Sequence, residues 1–226
     1  MLLDQFGQPL SPVGAPALQA LDLAMPTRRQ FLKASACVPM VLSAQMSWAQ
    51  EDYHPQGFWE QPRTIWMKRA ATGEEIFTTY WADGQLIDAE YRKLCWFMRD
   101  LRMESSIRSL QSKGRPVPSE LYAASTISLV LLDILYATNG WLAYHNMSRP
   151  LLLNSGFRHR VTNSQTEGAA FDSRHVKGGA GDIDIAGVNP ASVSAYGVWI
   201  AGGGVGWYPG KKFTHVDDGR LRFWRG

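Results

Sequence analysis

The stretch Ser173–Ile185 reads SRHVKGGAGDIDI, with His175 seven residues before Asp182 and three glycines between them. Glycine-rich sequence makes turns, and a turn here folds the imidazole back to face a carboxylate at the start of a strand. A second histidine, His215, lies in the β-like run FTHVDDG. Two imidazoles and one carboxylate make a three-ligand set that leaves a fourth tetrahedral position for water. Open sites of this kind are catalytic rather than structural, and zinc is the expected metal. Bound zinc lowers the pKa of its water to about 7. The chemistry expected is therefore metal-assisted hydrolysis, with one Zn2+ per chain held by His175, Asp182 and His215. The competing reading of the stretch by itself is an ordinary glycine turn flanked by polar residues.

These residues need elements to carry them. TIWMKRAATGEEIFTTYWADGQ has two apolar-rich runs around ATGEE and a turn at ADGQ, the pattern of a β-hairpin. Asp88 is the expected cap of one helix running through AEYRKLCWFMRDLRMESSIRSL. Its Leu94, Phe97, Met98 and Leu101 recur at helical spacing and predict a buried stripe beside Cys95 and Trp96. SKGRPVP breaks the chain. Ser119 then caps a second helix, ELYAASTISLVLLDILYATNG, ending near Asn139-Gly140, with Leu129, Leu132 and Leu135 in the core. After Pro150, PLLLNSGFR reads as a short buried strand and GDIDIAGV as another. NPASVSAYGVWIAGG is a helix capped by Asn189 with Pro190 at its first position. GGVGWYP and KKFTHVDDG are closing strands joined by Pro209-Gly210. Helices first, then a small sheet with one helix, argue for an α+β fold.

The bulk numbers narrow the function. A net charge of +3 over 226 residues gives no reason to invoke nucleic acid. Cys37 and Cys95 are the two cysteines, and neither belongs to a CxxC, so there is no thiolate zinc framework and no disulfide scaffold. Residues 1–49 read as a twin-arginine export signal: TRRQFLK at Thr27–Lys33, a modest apolar run, and Ser47 and Ala49 ahead of a cleavage site. That run is too short, and too broken by Pro39, to span a membrane. The twin-arginine translocase carries folded proteins, which suits a chain that folds or takes metal in the cytoplasm. The organisation expected is a cleaved signal over 1–49, an extended linker over 50–62 containing Pro55 and Pro62, and one domain over 63–226. The mature protein is expected in the periplasm, with Cys95 its lone cysteine and no stable membrane insertion.

SGFR, TN, SRHVKGGAGDIDI, GGVGWYP and FTHVDDGRLRFW occur here in the order found in the murein endopeptidase K group. The chain resembles that group of the D-Ala-D-Ala metallopeptidases, more distant relatives of which are the lysostaphin and hedgehog domains. The pattern SxHxxGxAxD followed by a late strand histidine is met by Ser173, His175, Gly178, Ala180, Asp182 and His215. The likeness covers roughly residues 63–224. It implies a hedgehog/DD-peptidase-like α+β fold, with a small, mostly antiparallel sheet, packed helices and a zinc site at the sheet. It also implies a zinc peptidase acting on the stem-peptide cross-links of peptidoglycan. The alternatives are a cell-wall binding module with a retained but inactive zinc site, and a D,D-carboxypeptidase.

The resemblance extends to further residues. Arg158 matches the family arginine near the zinc, where a guanidinium holds the scissile carbonyl or stabilises the oxyanion. Without the resemblance it reads as a salt-bridge partner for a surface carboxylate. Ser173 is expected to orient His175 within the loop, and Gly178 to let the backbone bend between the ligands. Asp184 lies two residues beyond Asp182, so a strand points both to one face, close enough to support a ligand or else solvated. D-Ala-D-Ala dipeptidases carry a glutamate three residues before the last ligand, and other relatives a histidine two before it; here these positions are Lys212 and Phe213. Asp217 is the nearest carboxylate on the face of His215. Two roles are open to it: accepting a proton from the water, or accepting a hydrogen bond from a ligand ring. His159 is the outside candidate for the base.

Overall fold

A computed structural model describes residues 53–226. The export signal read over 1–49 lies outside the described residues, as do the first residues of the expected linker. From Tyr53 to Pro62 the chain is not extended. It folds in turns against the domain, with His54 stacked on Phe58 at 4.1 Å and Tyr53 edge-on to Trp199 at 5.0 Å. His54 also hydrogen-bonds the Tyr196 hydroxyl at 2.8 Å. Pro55 and Pro62 suggested a spacer, but the aromatic residues between them supply apolar area that is better buried.

One eight-stranded sheet organises the domain. Its strands are β1 Arg63–Arg69, β2 Glu75–Ala82, β3 Gln85–Leu86, β4 Leu151–Ser155, β5 Ala180–Asp184, β6 Gly204–Tyr208, β7 Phe213–Asp217 and β8 Arg222–Arg225. They lie in the order β3-β2-β1-β4-β5-β7-β6-β8. All pairings are antiparallel except β1 with β4 and β6 with β8. The hairpin of β1 and β2, the strands β4 and β5, and the closing pair β6 and β7 all match the sequence pattern. The strand β8 does not appear in that reading, and the sheet is larger than expected.

The helices are α1 Asp88–Phe97, α2 Leu101–Ser112, α3 Leu129–Tyr144, α4 Arg160–Ser164 and α5 Pro190–Ile200. The helix expected from Asp88 is thus two. It breaks at Met98–Asp100 because this backbone is used elsewhere: the Met98 carbonyl accepts from the Phe157 N–H at 2.8 Å, and Arg69 donates to the carbonyls of Phe97 and Arg99. Asp100 restarts the chain as the cap of α2, accepting from the Met103 N–H at 3.0 Å.

The helix expected from Ser119 begins only at Leu129. Residues ahead of it hold other elements instead, since the Tyr91 hydroxyl donates to the Ile127 carbonyl at 2.8 Å and the Ser128 N–H to the Gly178 carbonyl at 3.0 Å. At its far end α3 runs through Gly140 to Tyr144. Glycine costs a helix about 1 kcal/mol relative to alanine, but here a Cβ would lie 2.5 Å from the Phe58 ring, so packing overrides propensity.

Strand alternation separates core from site. α3 and α5 pack on one face of the sheet, where Leu131, Leu132 and Leu135 bury with Ile65, Met67, Leu153, Ile183 and Val216. α5 starts as the sequence predicts, with Asn189 Oδ1 accepting from the Ala191 N–H at 2.9 Å and Pro190 following. Thr214 is tied to Ser194 of α5 at 2.8 Å, so its neighbour His215 must point away from the helices. Among the described residues, no helix is long and apolar enough to cross a membrane.

Candidate metal centre

β5 and β7 pair with Asp182 directly opposite His215, so a carboxylate and an imidazole meet on the face away from α3 and α5. The third member arrives on a single 3-10 turn, Arg174–Lys177. Ser173 caps that turn by accepting from the His175 N–H at 3.3 Å. Gly178 closes it in the left-handed conformation, φ 69°. Ser173 thus ties the start of the turn to the His175 N–H, and Gly178 turns the backbone between His175 and Asp182. A Cβ at Gly178 would lie 2.0 Å from the Thr126 carbonyl oxygen. Gly178→Ala is therefore expected to cost about 2–3 kcal/mol, the upper part of the usual range for one substitution. Calorimetry should show a melting temperature lower by roughly 5–10 °C; an unchanged value would mean that the turn relaxes.

The three side chains converge through defined atoms. His215 Nδ1 stands 2.9 Å from Asp182 Oδ1 and 3.2 Å from His175 Nε2, which is itself 3.3 Å from Asp182 Oδ1. All three residues are buried. A tetrahedral ion with bonds of about 2.0–2.1 Å holds its ligand atoms about 3.3–3.4 Å apart, so this triangle is nearly the size such an ion needs. The opposite edge of each ring is also spoken for. His175 Nδ1 lies 2.7 Å from the Gly156 carbonyl, which can only accept, so Nδ1 carries the proton and Nε2 the lone pair. His215 Nε2 lies 2.9 Å from Asp217 Oδ2, so Nδ1 is the nitrogen free to ligate. Carbonyl and carboxylate partners of this kind set the tautomer and direction of metal-binding histidines.

Electrostatics follow the same arrangement. Burial keeps the His175 pKa below its ordinary value and the ring neutral. Burial also opposes charge on His215, but its hydrogen bonds to Asp182 and Asp217 outweigh this and raise its pKa. Burial would raise Asp182, yet the two histidines beside it hold it well below the usual carboxylate range. A cation held between them would compete with protons for the same nitrogen and oxygen atoms.

The other residues singled out by sequence fall in different places. Arg158 is at the cluster: its Nη2 donates to Asp182 Oδ2 and its Nε to Ser155 Oγ at 2.8 Å. Its ion pair is thus to the buried carboxylate of the cluster, not to a surface one. Asp217 is fully buried behind His215. Its Oδ1 accepts from the Gly219 N–H at 2.8 Å, and Arg222 Nη2 donates to Oδ2 at 2.6 Å. Burial works against its charge, but these donors and His215 hold its pKa well below the ordinary range. The His215 imidazole lies between Asp217 and the other two members of the cluster, with Asp217 Oδ2 on its Nε2. Asp184 shares the face of Asp182, but its Oδ1 accepts from the Ile185 N–H at 2.8 Å and it makes no hydrogen bond to His175, Asp182 or His215. His159 is buried, caps α4, and pairs through Nε2 with the Glu120 carbonyl at 3.0 Å.

Sequence reasoning missed four residues. Gly156 and Ser155 act through a carbonyl and a hydroxyl beside Arg158, and a glycine carbonyl leaves no trace in residue type. β8 brings Arg222 onto Asp217 and Trp224 to 5.2 Å from the His215 ring. The alternating RLRFWR after the DDG turn was the available signal.

Comparison with known proteins agrees with this geometry. Residues 122–217 match the Peptidase M15 family, a span that contains His175, Asp182, His215 and Arg158. The peptidoglycan L,D-endopeptidase MepK of Escherichia coli is 30% identical over 168 residues, covering 73% of this chain and 81% of that protein, and the protein of the same name from Shigella flexneri gives the same figures. A probable peptidoglycan L,D-endopeptidase MepK from Haemophilus influenzae is 43% identical over 75 residues, 31% of this chain and 40% of that protein. With a relative this similar over most of both lengths, and with the three convergent side chains inside the matched span, the chain belongs to the M15 peptidase family.

Proposed function

We propose that the chain is a zinc-dependent endopeptidase that hydrolyses peptide cross-links of peptidoglycan in the periplasm. The observation that carries this reading is the triangle of His175 Nε2, His215 Nδ1 and Asp182 Oδ1, with edges of 2.9–3.3 Å. The likeness to peptidoglycan L,D-endopeptidases supports the substrate. Those three atoms would hold the ion. Bound there, zinc supplies Lewis acidity at the scissile carbonyl and brings the pKa of the attacking water towards neutrality.

The remaining work belongs to the chain. The Gly156 carbonyl and Asp217 keep the two rings aimed at the ion. Arg158 is anchored by Nε and Nη2, and its Nη1 has no protein partner among the described residues. That N–H is available to donate to the substrate carbonyl oxygen as negative charge develops on it. Asp217 acts as a positioning residue in this reading. Asp217→Asn is expected to weaken zinc binding about ten- to hundredfold, with turnover largely regained at saturating zinc. Titration calorimetry together with activity at graded zinc checks this. Wild-type zinc affinity with lost turnover would return Asp217 to the role of base.

Export completes the proposal. Arg28 and Arg29 would direct the precursor to the twin-arginine translocase, with cleavage after Ala49. Replacing both arginines by lysine should leave the precursor in the cytoplasm on fractionation; unchanged export would refute this route. For the activity, purified protein is incubated with cross-linked muropeptides, with and without a chelator. Cross-link cleavage that stops on chelation and returns with zinc is the expected result. Release of a single terminal residue would make the enzyme a carboxypeptidase, and intact muropeptides under every condition would leave a binding module.

A further inference from the structure

β6 reads GVGWY, so its two glycines, Gly204 and Gly206, share one face of the sheet. Glycine weakens a strand interior and often marks the close approach of another group. Neither glycine has a positive φ, so their value here is space and not backbone freedom.

The strand register shows what fills that space. Gly206 lies between His215 of β7 and Trp224 of β8, and Gly204 between Asp217 and Arg222. Two rows thus cross three strands, each with a glycine in the middle. Over Gly206 the Trp224 indole reaches the His215 ring, with centroids 5.2 Å apart. A Cβ at Gly206 would stand 2.6 Å from that indole. Over Gly204 the Arg222 guanidinium reaches both oxygens of Asp217, with Nη1 3.1 Å from Oδ1 and Nη2 2.6 Å from Oδ2. A Cβ at Gly204 would overlap that guanidinium and stand 2.8 Å from Asp217 Oδ2. β8 is an edge strand that exposes Arg222, Phe223 and Arg225, while Trp224 is half-buried. Its indole is fixed apart from His215 too: Nε1 donates to the Tyr208 hydroxyl at 2.9 Å, and Arg222 Cζ lies 4.9 Å over the ring.

We propose that β8 is a clamp on the metal centre, in which Gly204 and Gly206 open the way for Arg222 to fix Asp217 and for Trp224 to fix the His215 ring. Asp217 holds His215 Nε2 by one hydrogen bond, about which an imidazole can still swing. An indole packed against the ring removes that swing and keeps Nδ1 aimed at Asp182. Trp224 is therefore a positioning residue that acts on the metal through the imidazole. The clamp rests on the proposed metal site and is independent of the substrate.

The test uses the full chain with zinc or cobalt alone. Zinc affinity is read by competition with a chromophoric chelator, and ligand geometry by the visible absorption bands of the cobalt-loaded protein. Gly206→Ala adds one methyl group whose nearest neighbours are indole atoms, so the fold, followed by circular dichroism, should hold while the indole is displaced. Zinc affinity should fall about tenfold or more, as for loss of an outer partner of a metal-ligating histidine, and the cobalt bands should move. Trp224→Ala should do the same. The two together should cost no more than the larger single change, because a Cβ at position 206 then has no indole to push; neighbours that act through one contact are non-additive in this way. Trp224→Phe, which keeps a ring beside the imidazole, should regain most of the affinity lost in Trp224→Ala, and this pair decides the matter if Gly206→Ala does not fold. Wild-type affinity and cobalt bands in either single variant, losses that multiply in the double variant, or no recovery in Trp224→Phe overturn the proposal. A wild-type chain that takes up neither metal overturns the metal site and the clamp with it; a wild-type chain that binds zinc alongside variants that match it overturns the clamp alone.

Discussion

His215→Ala is expected to yield a folded chain that no longer retains zinc and no longer cleaves cross-links. His215 supplies one corner of the triangle, and its Nδ1 makes the shortest edge, 2.9 Å to Asp182 Oδ1. Structural zinc sites bind with apparent free energies of about 10–16 kcal/mol, so the loss of one protein ligand of three should cost several kcal/mol and lower affinity by roughly three orders of magnitude or more. The fold should tolerate the change better than the metal does. Asp217, which loses the imidazole, keeps its bonds to Arg222 and to the Gly219 and Gly204 N–H groups. Metal analysis after gel filtration, with circular dichroism to check the fold, reads the two effects separately. Stoichiometric zinc in a folded His215→Ala protein would refute the ligand set.

Arg158→Ala should lower kcat/KM by roughly two to three orders of magnitude, the scale of losing one oxyanion donor, while zinc stays bound. Removing one partner of a buried ion pair usually destabilises because the other charge is left alone. Here Asp182 would still face His175 and His215, at 3.3 and 2.9 Å, and would face the ion when loaded. The cost should therefore appear in turnover more than in stability. Arg158→Lys should recover little, because a single ammonium cannot span Ser155 Oγ, Asp182 Oδ2 and a substrate oxygen as the planar guanidinium can. Lost zinc or lost fold in Arg158→Ala would make the ion pair its whole role.

The convergence of the three side chains was legible because they carry rare chemistry at short spacing: His175 and Asp182 are joined by one glycine turn, and His215 sits in a clear strand. Strand alternation also put Asp217 on the correct face. It could not tell that the imidazole of His215 would stand between Asp217 and the open side, since that depends on which ring nitrogen faces Asp182. Asp184 stands apart for a related reason: sharing a face over two residues still leaves about 7 Å, and its carboxylate accepts from the next backbone N–H. The helix boundaries failed where tertiary partners claimed the backbone. Nothing local stops a helix at Met98, but Phe157 and Arg69 take carbonyls there. β8 gained its place by pairing with β6 in parallel, a non-local contact, and with it came the Arg222 that holds Asp217.

The ligand atoms can be seen directly by anomalous diffraction, with data collected on either side of the zinc absorption edge from crystals of the zinc-loaded protein. The expected result is one peak per chain about 2 Å from each of His175 Nε2, His215 Nδ1 and Asp182 Oδ1. A peak at other residues, or none in a crystal whose protein takes up zinc in solution, would contradict the assignment on which the proposed activity stands.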